Sequence, residues 1–314
     1  MVSEDKGMRP SMAVNLGGIQ MRNPVNTASG AFGFGWQFEG FYDVGATLGA
    51  ITCKGVSAEP WEGNPAPRMC EVTSGILNSV GLANPGVAGM LAKSGEYLQG
   101  LEAAGCRVIV QAVGHSVEEY VAAVERLEEL APWASAVEMN ISCPNIARGG
   151  KLVGGTPEDA AEVVRAVRPR VSRPLLVKMG PVRVPEIARA CEAEGADALS
   201  LINTVNAMSI DVHTRRSRLS RPTGGLSGPA IHPIAVRMVW EAANAVRIPV
   251  NGIGGVATWQ DAAEMILAGA TSVTVGTANL YDPVAARDVA AGLEAWVAEQ
   301  GVADVNELIG AVEC

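Results

Sequence analysis

Eight short apolar runs, each followed by a stretch with helix signals, constrain this chain more than any other feature. The runs are Pro24–Ala28, Ala50–Lys54, Arg107–Val113, Ala136–Ile141, Leu175–Met179, Ala198–Ile202, Pro249–Gly252 and Ser272–Gly276. Most are too continuous to be half-exposed strands and read as parallel strands buried on both faces. Between them, Thr156-Pro157-Glu158-Asp159 supplies an N-cap, a proline at the first helical position and acid in the first turn. Thr258 opens a helix over Trp259–Ala268 that Gly269 ends, and Glu186–Glu194 ends at Gly195 in the same way.

Eight strand–helix units predict a (β/α)₈ TIM barrel. The competing doubly wound sheet is disfavoured because the glycine pattern sits late in the chain, not after the first strand. Val14–Leu16 and Ile19–Met21 flank Gly17-Gly18, a two-residue hairpin signal, and this N-terminal β-hairpin is expected at the barrel bottom. No linker or composition shift divides residues 1–314, so a single barrel domain is expected. Long connections after the second strand (Gly55 to about Lys93) and the sixth (Asn203 to Gly228) are expected as long loops over the C-terminal face, where barrels build their sites.

A formal net charge of -9 argues against a nucleic-acid partner. Arg215, Arg216, Arg218 and Arg221 are the one basic cluster and read as a solvated loop. The polar start, Met1 to Pro10, has no signal-peptide core, and no apolar stretch is long enough to span a bilayer. The six cysteines (53, 70, 106, 143, 191 and 314) show no C-x-x-C spacing. That disfavours a metal or iron–sulfur site in this chain and a disulfide framework, and makes a reducing, cytoplasmic setting the expectation.

The densest chemistry is Asn140-Ile141-Ser142-Cys143-Pro144-Asn145, directly after the fourth strand. The other five cysteines read as small buried hydrophobes. Cys143 does not, because Asn140 and Asn145 beside it serve no packing purpose at a strand end. Lys54 and Lys178 each end an apolar strand, where a lysine needs a partner. Either could clamp an anion, or one could be a Schiff-base nucleophile as in barrel aldolases, and spacing fits both. Gly252-Ile253-Gly254-Gly255 after strand seven and Gly276-Thr277-Ala278-Asn279 after strand eight would let backbone N–H groups approach a phosphate. Asn78, Asn140, Asn145 and Asn203, with Thr204, would form an amide cage for a ligand with imide and carboxylate groups. His115, His213 and His232 lack metal spacing and read as solvated or capping residues.

Taken together, these motifs resemble the class 1 dihydroorotate dehydrogenases, most of all the catalytic subunit of the NAD-linked type (dihydroorotate dehydrogenase B). The resemblance runs from the hairpin through Asn306. It is carried by Ala28-Ser29-Gly30, Phe32-Gly33-Phe34-Gly35, Gly63-Asn64-Pro65-Ala66-Pro67-Arg68, the Leu77–Gly86 stretch, Asn140–Asn145, Ile202-Asn203-Thr204, Gly224–Pro229, Gly252–Val256 and Gly276–Asn279. It implies FMN-dependent oxidation of dihydroorotate to orotate in pyrimidine biosynthesis, with Cys143 as catalytic base. Lys54, Asn78, Ser79, Val80, Gly81, Leu82, Asn140, Asn145, Asn203 and Thr204 would hold the pyrimidine. Ser29, Lys54, Gly55, Asn140, Lys178, Ile202, Gly228, Gly254, Gly255, Gly276 and Thr277 would hold FMN. Gln111 stands where relatives often carry Asn near the flavin.

The resemblance further implies a homodimeric core with two separate electron-transfer subunits, which would carry FAD and a 2Fe-2S cluster. A fumarate-reducing homodimer and a dihydropyrimidine dehydrogenase-like module are the rival readings within flavin chemistry. A flavin-free barrel aldolase or lyase is the rival outside it.

Overall fold

Strand formation in this chain follows the apolar runs closely. The structure is a computed structural model, and it describes residues 9–142 and 153–313. The barrel strands are β1 (Val25–Thr27), β2 (Ala50–Thr52), β3 (Arg107–Ala112), β4 (Ala136–Asn140), β5 (Leu175–Lys178), β6 (Ala198–Leu201), β7 (Val250–Ile253) and β8 (Ser272–Val275). Each is shorter than its run or shifted by a residue, because the ladder ends where the chain turns into the next loop. Neighbours pair in parallel in chain order, and β8 pairs with β1. The circle closes between β1 and β2, where the Gly49 N–H donates to the Val25 carbonyl at 3.1 Å and Asn26 Nδ2 donates to Thr52 Oγ1 at 2.9 Å. The result is a (β/α)₈ barrel.

Among the described residues, seven long helices cover the outside: α1 (Gly86–Ala103), α2 (Val117–Leu130), α3 (Pro157–Val167), α4 (Val184–Ala193), α5 (His232–Ala243), α6 (Trp259–Leu267) and α7 (Ala285–Glu299). Their starts are set by local chemistry. The Thr156 side chain accepts from the Asp159 N–H, Ser116 does the same for Glu119, and Thr258 and Asp261 form a reciprocal capping box. Gly269 follows α6 with φ 113°, a conformation that only glycine adopts without strain. Among the described residues, no helix is long and apolar enough to cross a membrane.

Alternation along each strand divides the core in two. One set of side chains, including Val108, Val110, Val137, Met139, Val177 and Leu199, packs outward in a common apolar cluster with helix residues such as Val163, Val167 and Ile187. Each such buried side chain contributes about 1.5–3 kcal/mol relative to exposure. The other set points inward and is apolar only at the bottom. There Ala50, Ile109, Ala136, Leu176 and Ala198 meet Val14, Leu16, Ile19 and Met21 of the N-terminal hairpin. The hairpin's Gly17 lies so close to the Asp197 carbonyl that a Cβ would come within 2.3 Å of its oxygen. The hairpin therefore plugs the bottom of the barrel.

Higher in the barrel the interior becomes polar, and several of its groups pair with one another, although Thr27 Oγ1 and Glu138 Oε2 find no partner among the described residues. Asn251 Oδ1 accepts from Ser272 Oγ and Thr274 Oγ1, both at 2.9 Å, while its Nδ2 donates to Ser200 Oγ at 3.2 Å. Gln111 Nε2 donates to Glu138 Oε1 at 2.6 Å.

The two long connections are more ordered than loops. Met69–Val72, Gly75–Asn78, Gly224–Ser227 and Val205–Ala207 form a four-stranded antiparallel sheet over the mouth. Ile210–Asp211 and Arg216–Ser217 form a further small hairpin carrying the arginine cluster. Arg215, Arg216, Arg218 and Arg221 are all exposed, although Arg218 also donates to the Glu71 carbonyl and Arg221 to Asn64 Oδ1.

Asn251 is the node of the interior network, so removing it strands several buried hydroxyls at once. Asn251→Ala is expected to lower unfolding stability by about 2–4 kcal/mol, given roughly 1–3 kcal/mol per stranded polar group. Urea denaturation followed by circular dichroism measures this, and an unchanged midpoint would refute the network's structural role.

Candidate active site

All eight barrel strands run the same way, so their C-terminal ends share one mouth. The space there is about 1250 Å³, open solvent at the entrance included. Its lining includes Ser29, Lys54, Asn78, Val80, Gly81, Leu82, Asn140, Lys178, Ile202, Asn203, Thr204, Gly228, Gly254, Gly255, Gly276 and Thr277. Sixteen positions singled out from the sequence thus surround one cavity, although they come from strand ends up to 248 residues apart.

Two other positions, Gly55 and Ser79, stand elsewhere. Gly55 is buried behind the wall, where a Cβ would fall 2.6 Å from Gln111 Oε1. Ser79 is fully buried and turned away from the cavity, taking the Asn64 Nδ2 donor at 3.0 Å. Cys143 and Asn145 lie outside the described residues.

Polar groups in the mouth are held before any ligand arrives. Asn140 is 5% exposed, and its carbonyl accepts from the Tyr120 hydroxyl. Its Oδ1 accepts from Ser142 Oγ at 2.8 Å, and Asn203 Nδ2 donates to that same Ser142 Oγ at 2.7 Å. Ser142 immediately precedes Cys143 in the chain, so this triad anchors the segment's entry point. Asn78 Nδ2 donates to the Gly225 carbonyl at 3.1 Å, tying one long connection to the other. The Val80–Leu82 turn is shaped by Asn64, whose N–H donates to the Val80 carbonyl at 3.0 Å. Gly81 has φ 70°, and a Cβ there would stand 2.6 Å from the Asn64 nitrogen, so only glycine fits.

The electrostatics are one-sided. Lys54 is half-buried and Lys178 only 7% exposed, and no aspartate or glutamate lines the mouth among the described residues. In a chain of net charge -9, two lysines in a recess without a lining carboxylate among the described residues suit an anionic ligand.

The turns after β7 and β8 complete it. Gly254 and Gly255 have φ 136° and 72°. Within the described residues no backbone or side-chain acceptor takes the N–H of Gly255, Gly276 or Thr277, while the Gly254 N–H ends the β7–β8 ladder on Thr274. Three unpaired backbone donors along a glycine-lined wall form a cradle for a phosphate-sized anion.

The sequence reading assigned no ligand contact to Ala28, Gly30, Ala31, Met69, Ile76, Ser227, Ile231, Ile253 and Leu280, which also line the mouth. Most are apolar or glycine and carry no chemical signal; only the fold makes them walls. Gln111 lines it too, with its amide nitrogen committed to Glu138.

One histidine departs from its expected place. His213 is exposed and His115 half-buried against Glu119, but His232 is not solvated: it is 7% exposed beneath the β7 turn. Its position as the first residue of α5 directs the ring inward.

Three other cysteines are chemically quiet. Burial pushes the thiol of Cys53 far up, with the neighbouring Cys106 adding to it, and burial pushes Cys106 and Cys191 up to about 12. Each is a thiol at neutral pH, not a thiolate nucleophile.

Comparison with known proteins agrees with this geometry. The family described as dihydroorotate dehydrogenase matches residues 11–297. A protein of Geotalea uraniireducens named dihydroorotate dehydrogenase B (NAD(+)), catalytic subunit, is 49% identical over 306 residues, covering 97% of this chain and 99% of the relative. Proteins of the same name from Trichlorobacter lovleyi and Desulforamulus reducens are each 46% identical. They cover 98% and 97% of this chain, and 100% and 99% of their own lengths.

The thiol assignments predict a protection pattern. Native protein treated with iodoacetamide at pH 7 should leave Cys53, Cys106 and Cys191 unmodified in peptide mass maps, and all three should react after unfolding. Rapid native labelling of any of them would contradict its burial.

Proposed function

The chain belongs to the dihydroorotate dehydrogenase family, and from that premise we propose that it oxidises (S)-dihydroorotate to orotate with flavin mononucleotide as resident cofactor. The observation that carries this reading is the mouth itself: two lysines, four side-chain amides and three unpaired backbone N–H groups, with no lining carboxylate among the described residues. A flavin mononucleotide needs a phosphate cradle, a flat wall and hydrogen-bonding partners for its imide edge. Gly254, Gly255, Gly276 and Thr277 suit the phosphate, Ser29, Ile202 and Gly228 the wall, and Lys178 and Asn140 the polar edge. When bound, the flavin supplies an acceptor for the hydride that leaves C6 of dihydroorotate.

The chain's own groups have distinct tasks. Cys143, as thiolate, takes the proton from C5 of the substrate. Two hydrogens thus leave as a proton and a hydride, and a ring double bond forms. The assignment of Cys143 rests on the family resemblance and on its place next to Ser142, which is tied to Asn140 and Asn203. Lys54 neutralises the substrate carboxylate. Asn78, Asn140, Asn145, Asn203 and Thr204 orient the pyrimidine amides, with the Ser79–Leu82 turn beside them. Lys178 places positive charge where negative charge accumulates during the reaction.

Electrons then leave through a second polypeptide. Support comes from the relatives' name, which specifies a catalytic subunit and NAD(+), and from cysteines too scattered in this sequence to ligate a cluster. We assign that partner FAD and a 2Fe-2S cluster, around a homodimeric core of this chain in the cytoplasm.

The test is spectroscopic. Purified protein should be yellow and should bleach on anaerobic addition of dihydroorotate. A colourless protein whose substrate is trapped by borohydride would instead support a lysine-based lyase. Cys143→Ser should retain the flavin yet slow its reduction by about 10²–10⁴-fold at neutral pH. Reduction by the unaltered protein should speed up with rising pH as the thiol, ordinarily near pKa 8.5, becomes thiolate. Normal rates in the serine variant would reject Cys143 as the base. Turnover with fumarate by this chain alone would reject the two-subunit route.

A further inference from the structure

The cradle after β7 is held in place by a residue outside the mouth. His232 Nδ1 lies 2.8 Å from the Gly254 carbonyl oxygen. Since that oxygen can only accept, Nδ1 carries the proton and donates. The Gly254 carbonyl and the Gly255 N–H belong to one peptide plane, and in a trans peptide they point in opposite directions. Holding the carbonyl against His232, which does not line the mouth, therefore turns the Gly255 N–H toward it. Packing permits little else: a Cβ on Gly255 would fall 2.6 Å from His232 Cβ and 2.9 Å from its Cα.

The other side of the imidazole faces two carboxylates. Nε2 stands 3.3 Å from Glu264 Oε2 and 3.7 Å from Asp261 Oδ1, without hydrogen-bond geometry. Asp261 is itself immobilised, its Oδ2 accepting from the Ala257 N–H at 2.9 Å and the Thr258 N–H at 2.8 Å. The start of α5, the β7 turn and the start of α6 thus meet at one ring.

We propose that His232 is the positioning residue of the anion cradle: by pinning the Gly254 carbonyl it aims the Gly255 N–H at the cofactor's phosphate. The assignment rests on the reading of the mouth as a flavin mononucleotide site, and it makes His232 matter for the phosphate but not for the flavin ring.

The experiment compares two ligands that differ only in that phosphate. Flavin-free protein is prepared for the unaltered chain, His232→Leu and His232→Asn, and the affinity for flavin mononucleotide and for riboflavin is read from flavin fluorescence. The Leu variant should lose about tenfold or more in affinity for the mononucleotide, the worth of a hydrogen bond to an anion, with riboflavin affinity unchanged. The Asn variant, whose Nδ2 can stand in for the imidazole Nδ1, should recover most of the loss.

The ratio of the two affinities is the readout within each variant, so a partly unfolded preparation does not mimic the effect. A Leu variant with an unchanged ratio, or an Asn variant as impaired as Leu, would overturn the role of His232. Equal affinity of the unaltered protein for both flavins would instead overturn the phosphate cradle on which it depends.

Discussion

Closure of eight parallel strands into a ring is the constraint on which everything else in this protein depends. A closed parallel sheet has no edge, and every strand delivers its C-terminal end to the same opening. The interior is too narrow to be a pore, so it must be filled, and here it is filled unevenly. The bottom layer is alanine, isoleucine and leucine sealed by the N-terminal hairpin. The layers above are amides, hydroxyls and the Gln111–Glu138 pair. Polarity thus rises along the barrel axis toward the end where ligands bind, and the scaffold stays dry at the end where they do not.

That gradient explains how two lysines can sit at the ends of apolar strands. Lys54 and Lys178 both line a cavity with no lining carboxylate among the described residues. Backbone donors at the β7 and β8 turns extend the same sign of potential to the other side of the mouth. A positive recess in an acidic chain concentrates anions at one place and repels them elsewhere. Specific orientation is then left to amides fixed by short local bonds, such as the Asn140–Ser142–Asn203 triad.

Much of this was legible from residue order. The eight runs appear as strands within a residue or two of their sequence limits, and Gly17-Gly18 forms the expected turn. Thr156 and Thr258 cap the helices they precede, because capping depends only on residues three or four apart. The sheet over the mouth was not legible. Its pairs, such as Leu77 with Leu226, join segments about 150 residues apart, and Met69–Val72 carries no buried face to announce it. Burial of His232 and the withdrawal of Gly55 and Ser79 behind the wall escaped for the same reason: each depends on what packs from another part of the chain.

By itself, the amino-acid order determined the barrel, the ends of its elements and which residues are chemically unusual for their surroundings. These follow from periodicity and from short-range steric and hydrogen-bonding rules. Only the tertiary structure decided which of those residues share a cavity, which way their polar atoms face, and that a histidine braces the turn after β7. Such facts depend on distances between segments far apart in the chain, and local preference carries no information about them.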